Sequence, residues 1–297
     1  MRRAATLCLV CLAAALARPA AQQQFRASVE LVHLPVVVTG RDGAVVSGLA
    51  ASDFTVLEDG RPQAITSFAA GAPGDAFPLH LGLLLDSSTS MERDLKVAAN
   101  AAVKFVDALE EAVDVTFIDF DTSVRLGRFS PPSYPHLFAR IRSGRAEGNT
   151  ALYDALAVYL QSAMTRPGQH VVLLHTDGGD SASRISISQL NDLLRMGNSI
   201  VYVVGYLEHQ PGTARVAQQM RMSQIARETG GDAYFPGNAR DIEEAYTRIL
   251  AEISGRYTIG YVSPAATEAG KFRKVEVKLT RTDLRGAKVR TRTGYRR

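Results

Sequence analysis

The chain of 297 residues has two cysteines and no tryptophan. Both cysteines, Cys8 and Cys11, fall near the start, so the remainder can form neither a disulfide nor a thiolate metal site. Stability must therefore come from a packed core. No apolar run reaches the roughly 18 residues needed to cross a bilayer. The histidines, at 33, 80, 136, 170, 175 and 209, lack the paired spacing of zinc ligands. His170 and His175 stand at opposite ends of one apolar run, an odd number of positions apart, so on a strand they face opposite ways. Also missing are a G-x-S-x-G nucleophile loop, an H-E-x-x-H helix, a Walker loop and a G-x-G-x-x-G turn. With charged residues at 22%, glycine at 24 and proline at 12, disordered and collagen-like chains are excluded.

The first element present is a leader. Residues 1–21 read as a signal peptide: Arg2 and Arg3 are followed by an Ala- and Leu-rich run from Ala4 to Ala17. Ala15-Leu16-Ala17 gives an A-x-A cleavage pattern, and Ala20-Ala21 a second. Val10 before Cys11 argues against a lipoprotein anchor. The expectation is an exported protein, periplasmic or secreted, with no transmembrane segment after cleavage.

The formal charge of +4 is unevenly spread. From Lys271 to Arg297 there are eleven Lys/Arg and two Asp/Glu, so once the leader is set aside the rest is acidic. Basic residues in this tail alternate with apolar ones, which predicts the solvated face of a sheet rather than a nucleic-acid surface. Arg296 and Arg297 are expected to fray, and Asp121 and Asp180 to be surface charges.

Three segments follow the leader. Residues 25–70 read as β-structure, with a hairpin whose Asp59-Gly60 turn joins Phe54–Glu58 to a returning strand at Gln63–Phe68. Residues 71–76 read as a linker. In 77–254 short apolar runs alternate with helical periodicity, which predicts a doubly wound, mostly parallel α/β sheet covered on both faces. Residues 256–297 return to period-two alternation. Each flank alone has a small core, so the economical arrangement is one β-sandwich built from both flanks, with the α/β domain inserted.

In such sheets ligands bind beyond the carboxyl ends of the strands. Three loops there carry oxygen donors: Asp86-Ser87-Ser88-Thr89-Ser90, Gly148-Asn149-Thr150 and Thr176-Asp177-Gly178. Asp86, Ser88, Ser90, Thr150 and Asp177 offer oxygen and neither sulfur nor imidazole, a set suited to a hard ion such as Mg²⁺. The competing reading is helix capping, since Asp, Ser and Thr before a helix satisfy its free N–H groups.

The D-x-S-x-S stretch at 86–90, Thr150 and the Thr-Asp-Gly at 176–178 resemble the metal-ion-dependent adhesion site of von Willebrand factor type A domains, over about 77–254. The resemblance implies a Rossmann-like fold and one Mg²⁺ or Mn²⁺ ion contacted by the two serines and the threonine. It implies that the two aspartates contact the ion directly or through water, and that a partner's carboxylate completes the shell. The flanks, at 53–60, 255–261, 272–277 and Gly294-Tyr295, are similar to segments of exported bacterial proteins related to that family. The expectation is a non-enzymatic, metal-dependent binding module that grips an exposed acidic side chain of a protein partner. The alternatives are a metal-assisted hydrolase, with His175 as its base, and a structural envelope component whose metal stiffens the loops.

Overall fold

A computed structural model describes residues 31–71, 77–264 and 270–296. The leader, the start of the first β flank, most of the linker and Arg297 lie outside the described residues.

The central sheet forms where uninterrupted apolar runs meet. Its strands are β5 (Leu79–Asp86), β6 (Ala112–Phe120), β7 (Val124–Phe129), β8 (Gln169–Thr176), β9 (Ser199–Gly205) and β10 (Ala233–Tyr234). The order is β10-β9-β8-β5-β6-β7, parallel except for β7, which returns antiparallel at the edge. Every residue of β5 is buried, as expected of a strand covered on both faces. Leu81, Leu83, Val171 and Leu173 face helices α1 (Leu95–Ala108), α2 (Tyr134–Arg142) and α6 (Ala239–Gly255). Leu84, Val172 and Leu174 face α3 (Leu152–Met164), α4 (Ile187–Met196) and α5 (Gly212–Thr229). Gly82 is fitted to this second face, because a Cβ there would lie 2.3 Å from the Tyr159 ring.

The flanks make two four-stranded antiparallel sheets. One has the order β13-β1-β11-β4, from β1 (Leu31–Thr39), β4 (Ile65–Ala70), β11 (Tyr257–Val262) and β13 (Lys288–Arg290). The other has the order β14-β12-β2-β3, from β2 (Phe54–Glu58), β3 (Arg61–Gln63), β12 (Phe272–Leu279) and β14 (Gly294–Arg296). Each sheet mixes strands from before and after the α/β body, and the two share one apolar core that includes Leu34, Val56, Ile259 and Val275. Buried in that core, the Glu58 carboxylate accepts hydrogen bonds from the hydroxyls of Tyr261 (2.6 Å), Ser263 (2.8 Å) and Tyr295 (2.9 Å).

Four expectations are corrected. The single returning strand at 63–68 is two strands. After the turn at Asp59 and Gly60 (φ 48° and 79°), β3 pairs with β2, but the chain then crosses at Ala64 and β4 pairs with β11. The crossing puts the Phe68 ring against Phe54 (5.8 Å) and Tyr257 (5.6 Å) in the shared core. The tail is not simply a solvated face. On β12, Lys274, Glu276 and Lys278 do face solvent, but Arg292 is buried and donates to the Arg195 carbonyl at 2.7 Å. Arg290 pairs with Asp232 at 2.6 Å and with Glu252. Arg296 does not fray: it lies in β14 and pairs with Asp192 at 2.9 Å. The basic tail is thus bound to the acidic body. Finally, Asp121 is buried rather than a surface charge, paired with Arg125 at 2.8 Å and accepting from the Ser123 N–H at 2.7 Å.

Candidate metal centre

Parallel strands end together, so the loops after β5 and β8 emerge side by side; Leu85 is in register with His175. Hydrogen bonds then join the loops. The Thr176 hydroxyl donates to Asp86 Oδ2 at 2.7 Å and accepts from the Gly178 N–H at 3.0 Å. The Thr89 N–H donates to the Gly148 carbonyl at 3.1 Å, and the Glu147 N–H to the Ser87 carbonyl at 2.9 Å. The Thr150 carbonyl accepts from the N–H groups of Ser181 and Ala182, each at 2.9 Å, which ties the 148–150 loop to the chain after Asp177.

Within this frame Asp86, Ser88, Thr150 and Asp177 are buried, and Ser90 is exposed. Asp86 Oδ1 accepts from the Ser88 N–H at 2.9 Å, and the Ser88 and Ser90 hydroxyl oxygens are 3.0 Å apart. Asp177 accepts from the Gly179 N–H at 3.3 Å and from the Gln210 side chain at 2.8 Å. All five sequence-predicted residues therefore stand on three loops that are bonded to one another.

Capping does not account for them. Helix α1 starts beyond the loop, with Asp94 at its N-cap, and Ala151 holds that position for α3; neither cap has a side-chain hydrogen bond. Ser88 precedes a short 3₁₀ turn at Thr89–Met91 but does not cap it with its side chain.

The electrostatics are one-sided. Burial pushes the Asp86 carboxyl up to about 6, against the pull of hydrogen bonds from Ser88 and Thr176, and the charge of Asp177 adds to the rise. Among the described residues no Lys, Arg or His pairs with Asp86 or Asp177. Two buried carboxylates served only by neutral donors, with hydroxyls beside them, fit a hard divalent cation. No group of three or more His, Cys, Asp or Glu side chains that could hold a metal ion gathers among the described residues.

His175 does not face these loops as a base. It is fully buried between Tyr206 and Tyr246, with ring contacts at 6.1 and 5.7 Å, and burial holds its imidazole down to about 3. His170, on the opposite face, stacks on His80 at 4.9 Å, a pairing that only strand register reveals. Asp180 accepts from the Ser183 hydroxyl at 2.6 Å and the Tyr153 N–H at 3.2 Å, bracing the third loop. Sequence reasoning missed Thr176 and Gln210 as the groups that orient the two aspartates. Thr176 lay inside the quoted motif. Gln210 follows the end of β9, where the same carboxyl-edge rule would have looked.

The fold defines an α/β module of the protein-interaction class, with these loops at the carboxyl end of its sheet. The chain belongs to the von Willebrand factor type A domain family, whose sequence model matches residues 80–248, more than half of its length. Domains of this family act as protein-interaction modules. No curated protein matches the chain. Similar solved structures include a von Willebrand factor type A protein from Catenulispora acidiphila, with 13% identity, 89% of this chain and 74% of that chain covered, and a TM-score of 0.49. Another is an aerotolerance-related membrane protein from Bacteroides fragilis, with 17% identity, 58% and 98% covered, and a TM-score of 0.48. A third is a variant of the PilB minor pilin from Streptococcus sanguinis, with 14% identity, 60% and 62% covered, and a TM-score of 0.47. The chain spans less than two thirds of the pilin's length.

Proposed function

We propose that the chain is an exported adhesion-type module that binds one Mg²⁺ or Mn²⁺ at Asp86, Ser88, Ser90, Thr150 and Asp177 and uses it to grip an acidic side chain of a protein partner. The leader at 1–21 carries export, residues 77–254 form the binding domain, and the flanks at 25–70 and 256–297 form the sandwich that supports it. The observation behind this reading is the buried, cation-free pair Asp86 and Asp177 beside the hydroxyls of Ser88 and Ser90. When bound with the two carboxylates acting through water, the ion would keep much of its charge and attract an acidic group of the partner. Thr176 and Gln210 hold the two carboxylates in place.

Selection of displayed peptides on the Mg²⁺-loaded chain tests the proposal. The expected binders contain Asp or Glu, release on chelation, and lose binding when that residue becomes Asn or Gln. Binders indifferent both to chelator and to Asp86→Ala would overturn it.

A further inference from the structure

Where the tail meets the body, Arg290 pairs with Asp232 and Glu252, and Arg296 pairs with Asp192. Arg292, between them in the chain, has no acid. It is 7% exposed, and Nε donates to the Gly294 carbonyl at 2.8 Å and Nη2 to the Arg195 carbonyl at 2.7 Å. Among the described residues Nη1 has no partner and no carboxylate faces the guanidinium. Burial pushes the group down to about 10, and what opposes the fall is a pair of tyrosines, Tyr261 and Tyr295. Carbonyls satisfy N–H groups but do not cancel a full charge. The Arg195 carbonyl belongs to the last turn of α4, and a helix end carries roughly half a negative charge. Part of a buried positive charge is left without a counterion.

Arg292 lines a cavity of about 140 Å³ at the joint between sandwich and body. One wall is β1. Val32 and Leu34 turn into the sandwich core, so Leu31 and His33 turn the other way, towards the joint. A second wall is the end of α4 and the turn after it, with Met196 and Asn198, and a third is β14, with Arg296. Two further nitrogens of these lining residues, Arg296 Nε and His33 Nδ1, are buried without a partner. Asp192 takes Arg296 Nη1 and leaves Nε free. Among the described residues no Asp or Glu lines the cavity.

Water in the cavity would satisfy the free nitrogens but not the charge. A cation would meet basic walls. We propose that the cavity is a binding site for one small inorganic oxyanion, of the size and chemistry of phosphate or sulfate, held by Arg292, Arg296 and His33. Such an ion accepts at once from Arg292 Nη1, from Arg296 Nε and from His33 Nδ1 in the tautomer that carries its proton there. Donors that arrive from different strands suit an ion with several oxygens. The volume excludes a nucleotide. Seated in the joint, the ion ties β1 of the sandwich to the end of α4. None of the five candidate metal ligands lines this cavity, so the two sites are separate.

Calorimetric titration of inorganic phosphate into the full, metal-stripped chain at fixed ionic strength tests the site. One saturable site per chain is expected, with a higher melting temperature at saturation. Sulfate should compete for it and chloride should not. Asn198→Asp puts a carboxylate at an exposed position of the wall and should weaken phosphate binding at least about tenfold in folded protein. Arg296→Met should weaken it comparably. Arg292→Met should abolish it, and if that variant unfolds the other two still decide. Lys274→Ala, which removes the same charge from the solvent face of β12, should change nothing. A folded wild type that takes up neither phosphate nor sulfate at about 10 mM overturns the proposal. So does uptake that Asn198→Asp and Arg296→Met both leave intact, or that chloride displaces equally well.

Discussion

Acids at the two sides of the α/β body, the buried Glu252 and the partly buried Asp232, Asp192 and Glu228 on one and the buried Asp86 and Asp177 on the other, are treated differently. Where the tail docks, each carboxylate meets a guanidinium: Glu252 and Asp232 meet Arg290, Asp192 meets Arg296, and Glu228 meets Arg195 at 3.3 Å. At the carboxyl edge of the sheet, Asp86 and Asp177 are at least as buried and receive only neutral donors. Glu58 shows that neutral donors can suffice in a closed core, but it takes three hydroxyls to do so. Asp86 draws on the hydroxyls of Thr176 and Ser88 and on the Ser88 N–H. The contrast is the one the proposed metal site requires: the acids at the docked tail meet a guanidinium of the chain, whereas Asp86 and Asp177 meet none among the described residues.

The comparison breaks first at the docked tail. Arg290→Ala strands Glu252, which is 6% exposed at the side chain, and should cost about 3 kcal/mol or more in chemical denaturation, since an orphaned buried charge is expensive. A loss below about 0.5 kcal/mol would make these pairs incidental. At the other edge the expected change is a gain. Saturation with Mg²⁺ or Mn²⁺ at about a hundred times its dissociation constant should stabilise the wild type by about 2.7 kcal/mol, and Asp177→Ala should abolish the shift.

Removing an unmatched charge should be mildly favourable. In metal-free protein at neutral pH, Asp86→Asn should raise stability by about 1 kcal/mol, opposite in sign to Arg290→Ala. A drop of similar size would mean that the carboxylate is already compensated. The smallest expected effect is pH dependence at His170, whose burial holds the imidazole below its ordinary range. A depressed folded-state pKa means that the unfolded chain takes up the proton first. The associated stability is complete above the ordinary imidazole range and fades as pH falls through and below it, by at most about 1.4 kcal/mol per pH unit. His170→Gln should therefore melt with a shallower decline between neutral and mildly acid pH, measured by calorimetry.

Much of the fold was legible because burial on both faces leaves a plain mark. The apolar runs at Leu81–Leu85 and Val171–Leu174 could only be inner strands, and the helices between them kept their period. The three site loops followed from the rule about strand ends, and the capping alternative failed only once Asp94 and Ala151 were seen at the N-caps. What was not legible depended on distant partners. Alternation told that Arg290 and Arg292 lie on β-structure, but not that their side meets the body rather than water. The opposite charges of tail and body were a signal for that contact and were read separately. The crossing at Ala64 has no local mark, because Gln63 and Ile65 fit either sheet until Phe68 is placed in the core. The stacking of His80 on His170 requires a register between strands 90 residues apart.

The central claim is that Asp86 and Asp177 lack a cation because they bind one. Calorimetric titration of Mn²⁺ into the metal-stripped chain, with Asp86→Ala and Asp177→Ala alongside, tests it most directly. The account predicts one site per chain in the wild type and none in either folded variant. A folded wild type that takes up no Mn²⁺, or binds it equally well without either aspartate, would contradict it.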